Sequence, residues 1–278
     1  MSRVSLRLGL IILCLLGGLP GAVSHAGELP FGLRGAAVQG GLLRGQVPVG
    51  TKVWLGDQPV RVGENGSFLI GLSRRAQRSL TLRLLYPDGE VRQETFSITQ
   101  RDYDIQRIDG LPAGQVSPSD TDLARIRRDS AAIKKARQVK TDTPLFEGDF
   151  IWPVTGIITG VYGSQRILNG EARSPHLGAD IAADEGTPIR APADGRVVLA
   201  DDEMFFTGKT LLIDHGHGLV SVYAHMSALD VVEGAWVAKG DVVGRIGQTG
   251  RATGPHLHWG VHLNGVGLDP ALLAGDMP

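Results

Sequence analysis

The chain has 278 residues, of which 42% are hydrophobic and 21% are charged, so it can form one large or two small domains with their own cores. Glycine is frequent, at 39 residues, and only 5% of residues are aromatic, which favours short strands and turns over long helices. The formal net charge is −1. Such a chain lacks the basic surface that nucleic-acid binding requires, so nucleic acid is excluded as an expected partner.

Residues 1–26 have the pattern of a secretory signal peptide. Arg3 and Arg7 flank an apolar run that ends in the small-residue sequence "SHA". The run is short for a membrane-spanning helix and is interrupted by glycines and Pro20, so we expect cleavage and not an uncleaved anchor. Cleavage removes Cys14, the only cysteine, and makes the net charge two units more negative. We therefore expect a periplasmic or secreted protein with no thiol nucleophile and no membrane segment after cleavage.

Residues 27–112 show the pattern of short strands and turns. The stretch "TKVWLGDQPVRVGENGSFLIGL" alternates apolar and polar residues around glycine turns, and this pattern recurs further on around "PDG". The region is predicted to be a small β-sandwich. Because it contains no histidine and no catalytic cluster, we expect an accessory role as spacer or targeting module, with a position over the groove of the next domain as the alternative.

Residues 113–146 differ in composition from both flanking regions. Proline, glycine and serine come first, after which Ser119 or Thr121 can cap a run of helix-favouring residues. The apolar stripe of this run is thin and its charges are mixed. We predict a helical linker on the surface that ends by Pro144.

Residues 147–278 return to short strands separated by glycine, which predicts an antiparallel β domain. Of the eight histidines in the chain, seven lie between His176 and His262. Histidines with only structural roles would not be confined in this way. The clustering therefore favours a metal site or an acid–base site.

The stretch "SPHLGADIAADEG" contains a candidate pair of metal ligands. His176 and Asp180 are four residues apart, but Pro175 and Gly178 argue against a helix here. In an extended strand, His176, Gly178 and Asp180 share one face, and the glycine leaves space between the two ligands. This spacing alone is a weak signal.

Two further stretches place histidines on strand faces. His256 and His258 in "PHLHW" point to one face of a strand while Leu257 points to the core, and Tyr223 and His225 in "VYAHM" are expected to share a face. Two histidines and one carboxylate, with a fourth position for water, form a catalytic zinc set, whereas calcium and magnesium prefer more oxygen ligands. The helical H-E-x-x-H motif is absent, so the expected site is of another type.

The motifs "HLGAD", "YAHM" and "GPHLHW" occur in the order and context of the lysostaphin/LytM-type zinc metallopeptidases, which cut peptide cross-links in bacterial cell walls. The resemblance covers about residues 150–272. It implies a β-rich LytM-type peptidase domain, a Zn²⁺ cofactor, and the cross-link peptides of peptidoglycan as the partner.

The resemblance also assigns roles to single residues. It makes His176, Asp180 and His258 the zinc ligands. His256 takes the position of the catalytic general base, and His225 that of the histidine that assists at the transition state. Because every one of these positions is filled, the resemblance implies an active enzyme.

The remaining histidines and the charged residues before the first ligand are expected to have no role in catalysis or metal binding. His215 and His217 lie in the turn "DHGHG" and are expected to be structural, and His262 is left out of the metal site because it lies further along the strand. Glu171 and Arg173 precede the first ligand in a long loop and are expected to be solvated, with lining of the groove as the alternative.

Three functions follow from these observations. The first is a peptidoglycan endopeptidase, expected to cut D-alanyl-diaminopimelate bonds because the signal peptide suits a Gram-negative periplasm. The second is a non-catalytic protein on the same scaffold that binds peptidoglycan and activates cell-wall amidases. The third, a lipoyl- or biotinyl-carrier domain, is disfavoured because no carrier lysine lies at a suitable hairpin tip.

Overall fold

The computed structural model describes residues 29–110, 118–139, 141–146 and 148–278. The fold is mainly β, as the sequence predicts, and the predicted signal peptide at 1–26 lies outside the described residues. In the described part, no helix has both the length and the apolar character to cross a membrane. The strands in chain order are β1 (Arg34–Gly35), β2 (Leu42–Gln46), β3 (Lys52–Leu55), β4 (Gln58–Val60), β5 (Ser67–Gly71), β6 (Ser79–Leu85), β7 (Val91–Ser97), β8 (Ile105–Ile108), β9 (Ile157–Gly160), β10 (Gln165–Leu168), β11 (Glu171–Ala172), β12 (Ala179–Ala182), β13 (Pro188–Arg190), β14 (Gly195–Met204), β15 (Gly208–Asp214), β16 (Leu219–Leu229), β17 (Trp236–Val237), β18 (Val242–Ile246), β19 (His256–Leu263) and β20 (Val266–Leu268). The helices are a 3₁₀ turn at Pro30–Gly32, α1 (Asp120–Ala136) and α2 (Ala271–Ala274).

The N-terminal strands form two small sheets with a shared core. One sheet has the order β1-β2-β5 and the other the order β4-β3-β6-β7. Phe68 and Ile70 from the first sheet and Leu82 and Leu84 from the second belong to one buried cluster. Alternation places these side chains on the inner faces of their strands.

A ten-stranded sheet carries the histidine motifs. Its main path is β17-β14-β15-β16-β19-β12-β9, and every neighbouring pair on it is antiparallel. The inner face is buried around Tyr223, Leu257 and Trp259, which are fully buried. The central strands β16 and β19 are thereby fixed in the sheet, which gives their opposite face a defined geometry.

Helix α1 is present where the sequence predicts it. Ser119 caps the N-terminus through a capping box with Asp122, in which each side chain binds the other residue's backbone N–H. The helix is not only a surface linker, however, because Ile133 and Ala136 pack on a small cluster that includes Val220 and Val222 of β16. The thin apolar stripe is enough to attach the helix to the sheet over about one turn at its C-terminal end.

The N-terminal region contacts the segment before the first candidate ligand. Strand β8, at the end of the region predicted to be accessory, pairs in parallel with β10. Arg74 Nε donates to the Gly163 carbonyl at 2.6 Å, and Arg101 Nη1 forms an ion pair with the buried Asp269 at 2.6 Å. The two parts of the chain are therefore joined by strand pairing as well as by side chains.

Candidate metal centre

Strand register places two of the predicted ligands opposite each other. In the antiparallel pair β12–β19, Asp180 lies directly across from His258, and Ala182 lies across from His256. Residues directly opposite on antiparallel strands point to the same face of the sheet. The carboxylate and the imidazole of His258 therefore meet on the face that is turned away from Trp259.

His176 reaches the same point from outside the strand. Strand β12 begins only at Ala179, so His176 lies in the preceding segment, where its backbone N–H donates to the Ser164 carbonyl at 2.8 Å. The N–H of Gly163 donates to the His176 carbonyl at 2.7 Å. These two bonds hold a buried histidine at the edge of the sheet.

The three candidate ligand atoms converge. His176 Nε2, Asp180 Oδ1 and His258 Nδ1 are separated from one another by 2.8 to 2.9 Å. Ligand atoms at zinc-like distances in a tetrahedron are about 3.3 Å apart, so the set needs to open by only about half an ångström to hold an ion. The donor set of two imidazoles and one carboxylate fits zinc.

Contacts around the ligands fix their orientation and charge. The ring of His176 binds the Val161 carbonyl through Nδ1 at 3.2 Å, which leaves Nε2 as the lone-pair nitrogen. Burial lowers the pKa of His176 to about 4, so its neutral, ligating form is favoured. Arg166 Nη2 donates to Asp180 Oδ2 at 2.7 Å and leaves the other carboxylate oxygen for the metal.

The carboxylate of Asp180 stays ionised despite its burial. Burial alone would raise its pKa, but the hydrogen bonds with His176 and His258 outweigh burial and hold the pKa below the usual range. An ionised carboxylate is the form that binds a divalent cation.

Gly178 leaves room for the third candidate ligand, His258. A Cβ atom at this position would lie 2.6 Å from the Trp259 carbonyl oxygen and 2.7 Å from His258 Cε1. Only glycine therefore lets the third ligand approach the first two.

His225 enters the site through an unusual backbone conformation. Its φ of 65° lies in the left-handed region, which is costly for a residue with a Cβ. Its N–H donates to the Thr207 carbonyl and its Nδ1–H to the Thr249 carbonyl, both at 2.8 Å. The prediction that Tyr223 and His225 share a face is wrong, because this conformation turns His225 towards His256 while Tyr223 stays in the core.

His225 and His256 form a pair beside the ligands. Their ring centroids are 4.7 Å apart, and that of His225 is 6.4 Å from that of His258. His256 Nδ1–H donates to the Gly254 carbonyl at 2.8 Å, so Nε2 carries the lone pair in the neutral ring. Burial, together with the nearby His256 and His258 rings, lowers the pKa of His225 to about 3.

The other histidines lie apart from the metal group of His176, Asp180 and His258. His215 is fully buried and binds the Asp194 carbonyl and the Ser221 hydroxyl, both at 2.7 Å. His217 Nε2–H donates to the Asp142 carbonyl at 2.8 Å. His262 is buried further along β19.

Sequence reasoning missed Arg166 and Gln106. Arg166 binds Asp180, and its Nε donates to Gln106 Oε1 of β8 at 3.3 Å. Arg166 lies on β10, ten residues before the first ligand and outside the three histidine motifs, and nothing in the pattern around Gln106 links it to a motif 70 residues or more away. Glu171 is largely exposed and forms an ion pair with Arg173, and Arg173 lines a cavity beside His176 and His258.

Comparisons with known proteins relate residues 174–270 to "Peptidase family M23". The DD-carboxypeptidase/endopeptidase Mpg of Neisseria meningitidis is 42% identical over 103 residues, which are 37% of this chain and 24% of that protein. The murein hydrolase activator EnvC of Escherichia coli is 35% identical over 123 residues, which are 44% of this chain and 28% of that protein. The matches thus span about a quarter of the length of these curated relatives.

A solved structure resembles most of the chain. It is that of a Pseudomonas aeruginosa protein assigned to the M23 peptidases, with 31% identity and a TM-score of 0.66. The alignment covers 86% of this chain and 95% of that chain. The likeness therefore extends well beyond the segment that carries the histidines.

Proposed function

Because this chain belongs to peptidase family M23, we propose that it is a zinc-dependent endopeptidase that hydrolyses peptide bonds in the cross-links of bacterial peptidoglycan. The observation that carries the proposal is the convergence of His176, Asp180 and His258 within reach of one ion, with His225 and His256 beside them. Ligands alone would suit a structural zinc site. The added pair of imidazoles is what acid–base chemistry on a substrate requires.

The roles of the ligands follow from their surroundings. His176, Asp180 and His258 would hold a zinc ion, which would supply Lewis-acid polarisation of the scissile carbonyl and would lower the pKa of water to about 7. The Arg166 guanidinium donates to Oδ2 of Asp180, so Oδ1 is the oxygen that would be offered to the ion. The Val161 carbonyl fixes the ring of His176 with Nε2 towards the ion.

His256 is proposed as the general base. Its hydrogen bond to the Gly254 carbonyl places the proton on Nδ1, so Nε2 can accept a proton from the attacking water and pass it to the leaving amine nitrogen. Such a group contributes about 100-fold to 10,000-fold in rate.

His225 is proposed to stabilise the oxyanion, and its geometry sets a condition on that role. Because Nδ1–H already donates to the Thr249 carbonyl, Nε2 can donate only when the ring is protonated. Burial disfavours the protonated ring of His225 in the absence of substrate. Negative charge that develops on the carbonyl oxygen favours the protonated ring, so the Nε2–H of His225 donates most strongly in the transition state.

We propose that the substrate bond joins D-alanine to diaminopimelate and that the enzyme acts in the periplasm after its signal peptide is removed. Mpg of Neisseria meningitidis is named a DD-carboxypeptidase/endopeptidase, which supports this bond class. Within the chain, we propose that residues 147–278 are the peptidase domain, with residues 27–112 as an accessory domain and residues 113–146 as the connection.

A second candidate is a non-catalytic activator of cell-wall amidases. The match to EnvC, which is named a murein hydrolase activator, favours it. A protein that acts only through binding needs neither a buried ionised carboxylate nor His256 with a free Nε2. The presence of both favours the enzyme.

The test is digestion of a defined cross-linked muropeptide dimer by the zinc-loaded protein, with products identified by mass. We expect one new amino group per bond cut, loss of cleavage with chelator, and loss of both zinc and cleavage in His176→Ala and Asp180→Ala. Arg245→Gln is the matched control, because Arg245 is an exposed residue paired with Asp230. No cleavage by zinc-loaded protein, together with stimulation of an amidase, would support the activator instead.

A further inference from the structure

Strand β8, from the N-terminal region, forms part of the wall of a cavity at the metal centre. The cavity has a volume of about 310 Å³, and Gln106 and Ile108 of β8 line it together with Asp180, His225 and His256. Burial alternates along β8, so that Gln106 and Ile108 are half-buried and the residue before each of them is exposed. One face of this strand is therefore turned towards the candidate site.

The position of β8 at the site is fixed by its pairing with β10. In this parallel pair, Gln106 lies directly across from Arg166. The N–H of Gln165 donates to the Asp104 carbonyl at 2.8 Å, so a backbone hydrogen bond holds the two strands together where the pairing begins. Alternation along both strands then places the side chains of Gln106 and Arg166 side by side on one face.

Arg166 connects β8 to the candidate ligand Asp180 through two nitrogen atoms of one guanidinium group. Its Nη2 donates to Asp180 Oδ2 at 2.7 Å, and its Nε donates to Gln106 Oε1 at 3.3 Å. Because the guanidinium is planar and rigid, two bonds from different nitrogen atoms fix its plane as well as its position. With the bond to Asp180 alone, this long side chain would keep more of its rotamer freedom and would orient the carboxylate less well.

The N-terminal region also contacts the loop that holds the first candidate ligand. The ring of Tyr103 covers Gly163 so closely that a Cβ atom at Gly163 would overlap it. The N–H of Gly163 donates to the His176 carbonyl at 2.7 Å, and its carbonyl accepts the 2.6 Å bond from Arg74. Contacts from the N-terminal region thus reach the surroundings of both His176 and Asp180.

We propose that Gln106 is a positioning residue of the metal centre, which orients Arg166 and, through it, the carboxylate of Asp180. The inference deepens the proposed function and rests on it for the identity of the metal ion. It makes the N-terminal region a part of the structure that binds the ion, and not only a spacer, a targeting module or a cover over the groove. Contacts around metal ligands set the affinity of a site together with the ligands themselves.

The experiment uses the full chain and removes the acceptor while keeping the length of the side chain. Gln106→Met has no amide oxygen, whereas Gln106→Glu keeps an oxygen acceptor for Arg166. Gln93→Met is the matched control, because Gln93 is an exposed residue of β7. Zinc affinity is measured by competition with a chromophoric chelator, ligand geometry by the absorption spectrum of the cobalt-loaded protein, and folding by the melting temperature of the metal-free protein. The kcat and KM are measured on one defined cross-linked muropeptide dimer.

We expect the zinc dissociation constant of folded Gln106→Met to rise by roughly 3- to 10-fold, the size of one net hydrogen bond. The cobalt spectrum should shift in this variant and should match that of wild type in Gln106→Glu and in Gln93→Met. The KM should stay unchanged in all three variants, because Gln106 acts on a metal ligand and not on the substrate.

A double-mutant cycle tests whether Gln106 acts through Arg166. Arg166→Met alone should raise the zinc dissociation constant by roughly 10- to 100-fold, because Asp180 loses the partner of its second oxygen. Adding Gln106→Met to this variant should cause no further rise, because the residue through which Gln106 acts is then absent.

Wild-type zinc affinity and an unchanged cobalt spectrum in folded Gln106→Met would overturn the positioning role. An equal rise in the zinc dissociation constant with and without Arg166 would also overturn it, and a higher KM at unchanged zinc affinity would make Gln106 a substrate contact instead. If zinc binding depends on Gln106 and Arg166 as expected but no variant and no wild-type protein cuts the dimer, the peptidase proposal fails and the positioning of Asp180 stands.

Discussion

Gly178→Ala is expected to close the metal centre without touching a ligand. The added Cβ atom would lie 2.6 Å from the Trp259 carbonyl oxygen and 2.7 and 3.0 Å from His258 Cε1 and Nε2. Ordinary contacts need about 3.4 Å, so the ring or the strand must move by about 0.7 Å, whereas metal sites tolerate only about 0.2 Å. We expect the zinc dissociation constant to rise by roughly 10- to 100-fold, with an overpacking cost of about 1 to 3 kcal/mol.

The matched control for this substitution is Gly254→Ala, because a Cβ at Gly254 meets nothing within 4 Å and the Gly254 carbonyl that binds His256 is retained. Zinc affinity is measured by competition with a chromophoric chelator, and the melting temperature of the metal-free protein separates folding from metal binding. Wild-type zinc affinity in folded Gly178→Ala would show instead that His258 needs no space at Gly178.

Three further outcomes are expected. His256→Ala should keep one zinc per chain while its turnover falls by about 100-fold or more, and loss of zinc content would instead make His256 a ligand. Arg74→Ala removes the 2.6 Å bond to the Gly163 carbonyl in the loop that holds the first ligand, so zinc affinity should fall by roughly 10-fold while Arg83→Ala, on the distant Trp54 ring, leaves it unchanged. Because burial lowers the pKa of His215 to about 4 and the unfolded value is about 6.5, the unfolded chain binds the extra proton below pH 6.5. The unfolding free energy of the metal-free protein should therefore fall from pH 6.5 to 4, by up to about 1.4 kcal/mol per unit for this residue, and a slope unchanged in His215→Gln would contradict this.

The positions of the candidate ligands can be predicted from the sequence because the patterns that indicate them extend over only a few residues. Alternation along β19 places His256 and His258 on one face of the sheet. The glycine between His176 and Asp180 indicates that a side chain at this position would occupy space within the site. Short glycine-punctuated strands likewise predict a mainly β fold. These properties depend on neighbours within a few residues.

Other features depend on long-range contacts that no local pattern encodes. The left-handed conformation of His225 is held by carbonyls of two separate loops, so strand alternation alone turns this residue to the wrong face. The bond between Arg166 and Asp180 and the pairing of β8 with β10 join distant parts of the chain. The thin apolar stripe of helix α1 predicts a linker on the surface. The helix nevertheless packs on the sheet, because Val220 and Val222 lie where Ile133 and Ala136 can contact them.

If one zinc ion at His176, Asp180 and His258 makes the chain a peptidase, its activity must follow the amount of bound zinc, which a zinc titration measures. Metal-free protein is titrated with zinc while cleavage of one defined cross-linked muropeptide dimer is followed by mass. We expect no cleavage without zinc, a linear rise in cleavage with added zinc, and saturation at one equivalent per chain. Cleavage by the metal-free protein, or no cleavage when one equivalent is bound, would contradict it.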